Sequence, residues 1–267
     1  MGVSVKSGYI YRIRSRTSPN LLLELSNGSS INGTPAQGWS PINNNENFFN
    51  QIWLLTKISG TQSWTFLEIR SGTYLDLDHG GTKDGTKIQG YQGPGEGKSN
   101  LAQEWSLSAV TGGGYKAGHL AVDLSNGGKG NGYVASVCLV FVQNYGPAHK
   151  NEHSTPVWGY HPIDGNTNQI WDFEQWSYTA TDIQSSIKSM PLASGFDVVA
   201  YTFPADKNYL VLPYTLYNVI WLGSMQGYKW RRELFDCDDF AFVYKAAVAS
   251  YGYKWLGQVK LDDNKVW

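Results

Sequence analysis

Short apolar runs alternate with turn-forming clusters through residues 1–176. The runs Tyr9–Ile13, Leu21–Leu25 and Ile52–Leu55 are four or five residues long, which is the length of a short β-strand. Asn-Gly, Asp-Gly and Gly-Gly pairs stand between such runs and favour tight turns. The same stretch holds 25 of the 30 glycines. The pattern therefore predicts an all-β region built from short strands.

After residue 176 the pattern becomes helical. Thr181–Gln184 has the form of a capping box, and Ile183, Ile187 and Met190 follow on one helical face. Further elements are predicted as a strand at Asn208–Leu212, a helix at Thr215–Leu222 and a helix at Phe240–Ala249. We therefore expect two domains, an all-β domain at 1–176 and an α+β domain at 177–267.

The all-β region contains three copies of one pattern. Each copy ends in a Q-x-W triplet: Gln51-Ile52-Trp53, Gln103-Glu104-Trp105 and Gln169-Ile170-Trp171. Each copy has a carboxylate in register upstream: Glu24, Asp76 and Asp123. A Gly-aromatic pair follows each carboxylate: Gly38-Trp39, Gly90-Tyr91 and Gly159-Tyr160. Self-similarity at a period of about 50 residues indicates a three-fold repeat architecture.

Copy three differs from the others by an insertion. The carboxylate and the aromatic residue are 15 positions apart in copies one and two but 37 apart in copy three, so 22 residues are inserted at roughly Tyr133–Thr155. We expect this segment to form a loop that lengthens or covers the pocket of copy three. Because one copy cannot bury its apolar face alone, the three triplet tryptophans should share one core. The triplet glutamines are expected to hold turns.

Composition narrows the class of ligand. Lys and Arg number 21 and Asp and Glu number 22, a net charge of −1 that argues against a nucleic-acid-binding surface. Charged residues make up 16% of the chain and aromatic residues 14%, which suits a neutral polar ligand. No apolar run is long enough for a membrane span, and the first residues lack a signal-peptide pattern. We therefore expect a soluble, cytoplasmic protein.

The three Q-x-W copies resemble the ricin-B-type β-trefoil lectin family over about residues 5–176. The resemblance implies a β-trefoil fold with pockets for galactose-like rings, in which an aromatic ring stacks on the sugar while a carboxylate and an amide bind its hydroxyls. Copy two offers Asp76, Tyr91, Asn100 and Gln103, and copy three offers Asp123, Tyr160, Asn166 and Gln169. Copy one offers Glu24 and Trp39 but has Phe48 at the asparagine position. Terminal galactose or GalNAc glycans are the implied partners.

Two other interpretations of the repeats stay open. Asp76 and Asp123 could cap turns through Asx hydrogen bonds rather than bind a ligand. A β-trefoil can also serve protein contact, as in a protease inhibitor. The recurrence of a carboxylate together with an aromatic ring and an amide favours carbohydrate binding over both.

A cysteine lies among carboxylates in the C-terminal domain. Cys237 falls in the first turn of the helix that Asp236 is predicted to cap, where the helix dipole favours a thiolate. Asp238 and Asp239 oppose the thiolate unless a divalent cation binds them, and clustered oxygen ligands suit Ca²⁺.

The C-terminal motifs resemble the Marasmius oreades agglutinin type of mushroom chimerolectin. These motifs are Tyr209–Leu212, Trp221, Lys229–Arg231, Phe235–Ala241 and Lys245–Val248. Such proteins join a ricin-B trefoil to a papain-like, dimerising domain with calcium-dependent cysteine protease activity. The resemblance implies calcium as a cofactor, with Cys237 at the nucleophile position and Asp238 and Asp239 at metal-linked positions.

A general base for Cys237 is missing from the C-terminal domain. No histidine follows His161, and the chain ends 30 residues after Cys237. Because a cysteine nucleophile needs a base, we expect a truncated papain-like domain in a binding protein rather than an enzyme. A calcium-dependent cysteine protease targeted by its lectin half is the alternative. Aromatic residues such as Tyr217 and Trp221 lead us to expect a homodimer with raised avidity for glycans.

Overall fold

A computed structural model describes residues 4–81, 83–94, 99–122, 134–141, 155–163, 165–179, 181–182, 185, 208–210, 212–225 and 243–250. The first region contains β1 (Tyr9–Ser15), β2 (Leu22–Leu25), β3 (Thr34–Trp39), β4 (Trp53–Lys57), β5 (Ser63–Glu68), β6 (Tyr74–Leu77), β7 (Thr86–Tyr91), β8 (Trp105–Ala109), β9 (Tyr115–Val122), β10 (Val134–Phe141), β11 (Thr155–Tyr160) and β12 (Trp171–Gln175). Short 3-10 turns lie at Ser26–Gly28, Glu46–Gln51, Asp78–Gly80, Leu101–Gln103 and Thr167–Gln169. The C-terminal region contains β13 (Ser177–Thr179), β14 (Asn208–Leu210), a helix at Tyr214–Met225 and helical residues at 243–250.

Six strands close into an antiparallel barrel. Strand β1 pairs with β4 and β12, β5 pairs with β4 and β8, and β9 pairs with β8 and β12. Each copy supplies two of these strands, and the second of them begins at the Q-x-W tryptophan of that copy. Closure leaves the ring without an unpaired edge, which a single copy could not achieve.

Three further strands cover one end of the barrel. Strand β3 pairs with β7, β7 pairs with β11, and β11 pairs with β3, so the three Gly-aromatic strands form a triangle. A six-stranded barrel capped by a triangle of hairpin strands is a β-trefoil. The fold class predicted from the Q-x-W repeats is therefore confirmed.

The triplet tryptophans occupy the shared core, as the sequence predicts. Trp53, Trp105 and Trp171 are each 0% exposed. Two of the buried indoles satisfy their polar N–H by donating to backbone carbonyls: Trp53 Nε1 to Leu23 O at 3.0 Å and Trp105 Nε1 to Leu75 O at 2.9 Å. Each carbonyl belongs to the residue before the carboxylate of the same copy. The tryptophan thus fixes the carboxylate strand to the barrel.

The C-terminal helix packs against copy one of the trefoil. Leu216 and Ile220 of the helix Tyr214–Met225 join a buried apolar cluster with Phe48, Phe49 and Ile52. Thr215 Oγ1 also donates a hydrogen bond to Asn43 O at 2.5 Å. Phe48, at the asparagine position of copy one, therefore has a packing role: it forms part of the apolar surface that this helix contacts.

Arg12 lies beside the apolar cluster that contacts the C-terminal helix, because Phe48 belongs to that cluster and Trp176 packs against it. Its guanidinium packs on the Phe48 ring at 4.9 Å and on the Trp176 ring at 5.3 Å. The same group donates to Gln51 Oε1, to Asn43 Oδ1 at 2.7 Å and to Ile42 O at 2.7 Å. Burial lowers the pKa of Arg12 to about 10. The Arg12 guanidinium thus contacts both the Q-x-W glutamine Gln51 and Phe48, which packs in the cluster with the C-terminal helix.

Three expectations about local structure are corrected. The copy-three insertion contains strand β10 rather than only a loop. The cap of the helical residues 181–182 is Thr179, not Thr181: Thr179 N and Oγ1 donate to Asp182 Oδ2 at 2.9 and 2.8 Å, and Asp182 N donates back to Thr179 Oγ1 at 3.1 Å. The box falls two residues earlier because Asp182 fills its acidic position. The helix predicted at Thr215–Leu222 runs from Tyr214 to Met225.

The described helices give no candidate for a membrane span. None of them combines the length and the apolar character that crossing a bilayer requires.

Candidate functional site

The carboxylates of copies one and two each lie opposite a glutamine on the next strand. Asp76 of β6 faces Gln89 of β7, and Glu24 of β2 faces Gln37 of β3. The aromatic residue of each copy is two positions further along, so it shares the face of the hairpin with the carboxylate. Diagonal neighbours of this kind have Cα atoms roughly 7–8 Å apart. The pairing therefore brings Asp76 together with Tyr91, and Glu24 together with Trp39.

Two amide groups hold the copy-two carboxylate. Gln89 Nε2 donates to Asp76 Oδ1 at 3.1 Å, and Gln103 Nε2 donates to Asp76 Oδ2 at 3.2 Å. Gln89 Nε2 also lies 3.1 Å from Asp78 Oδ1, so a second carboxylate stands beside the first. Asp76 is 4% exposed. The carboxylate therefore has a fixed orientation and a narrow opening to solvent.

Copy one repeats this arrangement with a longer side chain. Gln37 Nε2 donates to Glu24 Oε1 at 2.9 Å, and Gln51 Nε2 donates to Glu24 Oε2 at 3.0 Å. Glu24 is 2% exposed. The substitution of Glu for Asp thus preserves both amide contacts, which the sequence did not indicate.

Burial raises the pKa of both carboxyl groups, Glu24 and Asp76. It raises the pKa of Glu24 to about 6, against the lowering effect of its bonds from Gln37 and Gln51. Burial likewise raises the pKa of Asp76, while the bonds from Gln89 and Gln103 lower it. Burial has the larger effect on both pKa values, because the carboxylate loses more solvation free energy on leaving water than two neutral amide donors restore.

The Q-x-W glutamine also holds the residue that follows the aromatic ring. Its Nε2 donates to a backbone carbonyl in every copy: Ser40 O at 2.8 Å, Gln92 O at 2.9 Å and His161 O at 2.7 Å. The prediction that these glutamines hold turns is confirmed. In copies one and two the same glutamine bonds the carboxylate as well, so turn and carboxylate form one unit.

Within the described residues, copy two leaves one acceptor of this glutamine without a hydrogen-bond partner. In copies one and three the glutamine Oε1 accepts from a backbone N–H, Ile42 N at 3.0 Å and Ile163 N at 2.8 Å. The residue in register in copy two is Pro94, which has no N–H. Gln103 Oε1 is accordingly buried without a hydrogen-bond partner in the described part of the chain.

The aromatic residues lie at the surface to different extents. Tyr91 is 36% exposed, while Trp39 and Tyr160 are half-buried. The glycine before Tyr91 is required by packing, since a Cβ on Gly90 would lie 2.5 Å from Leu25 Cδ1 of copy one. Tyr91 thus sits on a backbone pressed against the neighbouring copy, with its ring available to a ligand.

The two predicted amide residues cap short turns. Asn100 Oδ1 accepts from Ala102 N at 3.1 Å, and Asn166 Oδ1 accepts from Asn168 N at 3.0 Å. These bonds occupy the acceptor of each amide and begin the 3-10 turns that lead into the Q-x-W strands. Either side chain would meet a ligand through its Nδ2 group.

Copy three departs from the arrangement of the other copies. Trp158 stands where Gln37 and Gln89 stand, so one amide donor is lost. Strand β10 pairs with β9 through Val134–Cys138 and with β11 through Cys138–Phe141, and thus lies between the strands that pair directly in copies one and two. Asp123 lies outside the described residues. Among the described residues of copy three, Gln169 donates to the carbonyl of His161, which follows Tyr160, and the N–H of Gln169 donates to the carbonyl of Asn166.

Gln37 and Gln89 are the residues that sequence reasoning missed. Both stand 13 positions after their carboxylate and directly before the Gly-aromatic pair, so a Gln-Gly-aromatic motif was present in copies one and two. Copy three has Trp158 in place of this glutamine, so the motif is not among the features that all three copies share. Asp78 was missed as well, because copy one has Ser26 in its place.

The predicted residues of the C-terminal site, Cys237, Asp238 and Asp239, lie outside the described residues. Within the part of the chain that the structure describes, no group of three or more His, Cys, Asp or Glu side chains is placed to hold a metal ion.

Two known protein families match parts of the chain. Residues 49–140 match a family described as ricin-type beta-trefoil lectin domain-like. Over these residues the barrel region is therefore similar to ricin-type β-trefoil lectin domains. Residues 209–263 match a family described as agglutinin C-terminal.

Two solved structures extend over nearly the whole chain. The Polyporus squamosus lectin bound to the epitope Neu5Aca2-6Galb1-4GlcNAc matches with a TM-score of 0.71 and 26% identity, covering 94% of this chain and 78% of that one. A complex of PSL1a with E64 matches with a TM-score of 0.69 and 26% identity, covering 94% of this chain and 77% of that one. No curated protein matches the chain.

Proposed function

We propose that this protein is a carbohydrate-binding lectin for terminal galactose- or GalNAc-type glycans, with copy two as its principal site. One observation carries the proposal: the Asp76 carboxylate is held by Gln89 and Gln103 on the same hairpin face as Tyr91, which is 36% exposed. A hexose offers an apolar C–H face for the ring and hydroxyl donors for the carboxylate. A charged acceptor makes bonds roughly twice as strong as a neutral one, so a single carboxylate can orient the sugar.

Copy one is proposed as a second site of the same kind. Glu24 keeps both amide contacts, and Trp39 supplies a larger ring than Tyr91. The Arg12 guanidinium lies on the far side of Gln51 and favours the ionised form of Glu24. Copy three is proposed to bind through Tyr160, Asn166 and Gln169 with a different geometry, because Trp158 replaces the glutamine.

Retention on immobilised glycans tests the proposal. The panel should contain terminal galactosides, GalNAc glycans and sialylated galactosides, since the Polyporus squamosus lectin was crystallised with a sialylated epitope. Terminal galactosides or GalNAc glycans should retain the wild-type protein, and free galactose should elute it. Signal from sialylated chains alone would overturn the galactose specificity, and no signal from any glycan would overturn the lectin function.

Dimerisation is proposed to increase avidity. The C-terminal helix exposes Tyr214 at 84%, Leu222 at 60% and Trp221 at 43%, an apolar face that a second copy could cover. Two trefoils in one particle would bind multivalent glycans more tightly without new contacts. Sedimentation at micromolar concentration should show a dimer, and a monomer would contradict this part of the proposal.

Calcium binding by Asp238 and Asp239 stays a proposal that rests on sequence. Thermal unfolding with added Ca²⁺ and with a chelator tests it directly, since a bound ion stabilises the folded state. The described residues carry no observation in favour of the protease alternative.

A further inference from the structure

The aromatic strand of copy two is held by a side chain of copy one. Asn32 Oδ1 accepts a hydrogen bond from Gln92 N at 2.7 Å, and Gln92 directly follows Tyr91. Gly33 N donates to Gly90 O at 2.9 Å on the other side of Tyr91. The Asn32-Gly33 turn of copy one thus hydrogen-bonds the backbone on both sides of Tyr91.

The same contact recurs between copies two and three. Asp84 stands 52 residues after Asn32, in register with it, and its Oδ1 accepts from His161 N at 2.7 Å. Gly85 N donates to Gly159 O at 2.9 Å. His161 directly follows Tyr160, as Gln92 follows Tyr91. We call each of these two sets, Asn32-Gly33 on Gly90–Gln92 and Asp84-Gly85 on Gly159–His161, an inter-copy clasp.

Glycine is required at the second position of each clasp. Gly33 has φ +88° and Gly85 has φ +81°, a left-handed conformation that side chains rarely adopt. This conformation turns the N–H toward the carbonyl of the next copy while the preceding Asn or Asp turns its oxygen toward the next N–H. The Asn-Gly and Asp-Gly pairs therefore do more than reverse the chain.

In each clasp, the residue whose N–H is bound by the Asn or Asp side chain also has its carbonyl bound by the Q-x-W glutamine. In copy two, Asn32 holds the N–H of Gln92 while Gln103 holds its carbonyl at 2.9 Å. Gln103 also donates to Asp76. The position of the Tyr91 backbone relative to the carboxylate is thus fixed by one residue of copy one and one of copy two.

The copy-three clasp also orients a second ring. Asp84 Oδ2 lies 2.7 Å from His161 Nδ1, and the His161 ring lies 4.8 Å from the Tyr160 ring at an interplanar angle of 32°. Asp84 therefore fixes both the backbone and the imidazole beside Tyr160. A ligand at Tyr160 would meet a two-ring surface set by copy two.

We propose that Asn32 and Asp84 are positioning residues for the carbohydrate sites of the following copies, Asn32 for copy two and Asp84 for copy three. This inference rests on the proposed function. It means that each of these two binding sites is assembled from two adjacent copies.

Site-resolved titration of the full chain with a methyl galactoside tests the inference. Backbone amide signals of Gly90 report copy two, and those of Gly38 report copy one. Asn32→Ala should weaken the affinity read at Gly90 by about three- to tenfold, the effect of one neutral hydrogen bond, and leave that read at Gly38 unchanged. Asn32→Asp, which keeps the acceptor, should restore the affinity to within about twofold.

Asn45→Ala is the matched control. Asn45 Oδ1 likewise accepts one backbone N–H, from Asn47 at 2.9 Å, but within copy one. The control should leave the Gly90 titration unchanged. Equal affinity at Gly90 in wild type and Asn32→Ala, or an equal loss in Asn45→Ala, would overturn the positioning role.

Amide exchange separates failure of this inference from failure of the proposed function. Gln92 N–H should exchange faster in Asn32→Ala than in wild type, whether or not a glycan binds. Unchanged exchange would overturn the clasp itself. If wild type shows no response to any glycan, the proposed function fails and the positioning role falls with it, while faster Gln92 exchange would still show the clasp to be real.

Discussion

Gln103 donates a hydrogen bond through Nε2 to the Asp76 carboxylate at 3.2 Å, and through the same nitrogen to Gln92 O at 2.9 Å. The residue of the Q-x-W triplet that shapes the turn is therefore also the residue that orients the carboxylate. In copy two, one side chain therefore holds both the turn and the carboxylate of the proposed site.

Replacement of Gln103 should impair stability and binding together. Gln103→Leu leaves a buried carboxylate with one amide donor fewer and frees the Gln92 carbonyl, at a cost of about 1–3 kcal/mol in the free energy of unfolding. Glycan affinity at copy two should fall as well. Urea unfolding measures the loss of stability, and titration with a galactoside read at the Gly90 amide measures the affinity of copy two. Gln62→Leu, at an exposed glutamine in the turn between β4 and β5, should change neither quantity. A stable, fully binding Gln103→Leu would refute the shared role.

The contribution of Glu68 to stability is more favourable at acidic pH than at alkaline pH. Its buried carboxyl accepts from Arg70 N at 3.1 Å and Ser71 N at 2.7 Å, yet burial raises its pKa from 4.5 to about 7. Between these values the native state binds more protons than the unfolded state, so this contribution to stability falls as pH rises through the window.

A comparison of two pH values isolates the effect of Glu68. Wild type should lose on the order of 3 kcal/mol of unfolding free energy from this residue between pH 4.5 and pH 8. Glu68→Gln cannot ionise and should lack this component, so the difference between wild type and variant should depend on pH. Denaturant unfolding at both pH values measures it, and a constant difference would contradict the assignment.

Phe48 should control docking of the C-terminal region. It is 0% exposed and packs in the cluster that holds Leu216 and Ile220. Phe48→Ala should cost about 3–5 kcal/mol, as expected for a buried aromatic residue. Limited proteolysis should then release the C-terminal region before the trefoil is cut.

Phe66→Ala provides the control for Phe48→Ala. Phe66 is also 0% exposed but lies in the barrel core with Trp105. Its loss should destabilise the trefoil without early release of the C-terminal region. Identical cleavage patterns for the two variants would show that Phe48 is not specific to the docking contact.

The trefoil could be predicted from sequence because its determinants are local and repeated. Trp53, Trp105 and Trp171 each begin a barrel strand, and spacing alone placed them in one core. The strand inside the copy-three insertion could not be predicted, because Val134–Phe141 has no counterpart in the other copies.

The candidate site was predictable only in part. Asp76 and Tyr91 were found from their register, and the structure places them on one hairpin face. Gln89 was missed because copy three lacks it, and the contact of Asn32 with copy two was missed because it joins residues 60 positions apart in different copies. Aligning the three copies with one another shows which positions are equivalent. It does not show which residues of different copies are in contact.

The Tyr91 ring gives the most direct test of the account. Tyr91 is 36% exposed in the candidate site, and Tyr178 is 38% exposed on β13, so the two tyrosines form a matched pair. Titration with a galactoside, read at the Gly90 amide of copy two, should show a loss of affinity of about tenfold or more for Tyr91→Ala, since stacking on an aromatic ring is lost with little effect on the core. Tyr178→Ala should bind as wild type does. Equal affinity of all three proteins at the copy-two site would contradict the central claim that Tyr91 and Asp76 form a carbohydrate site.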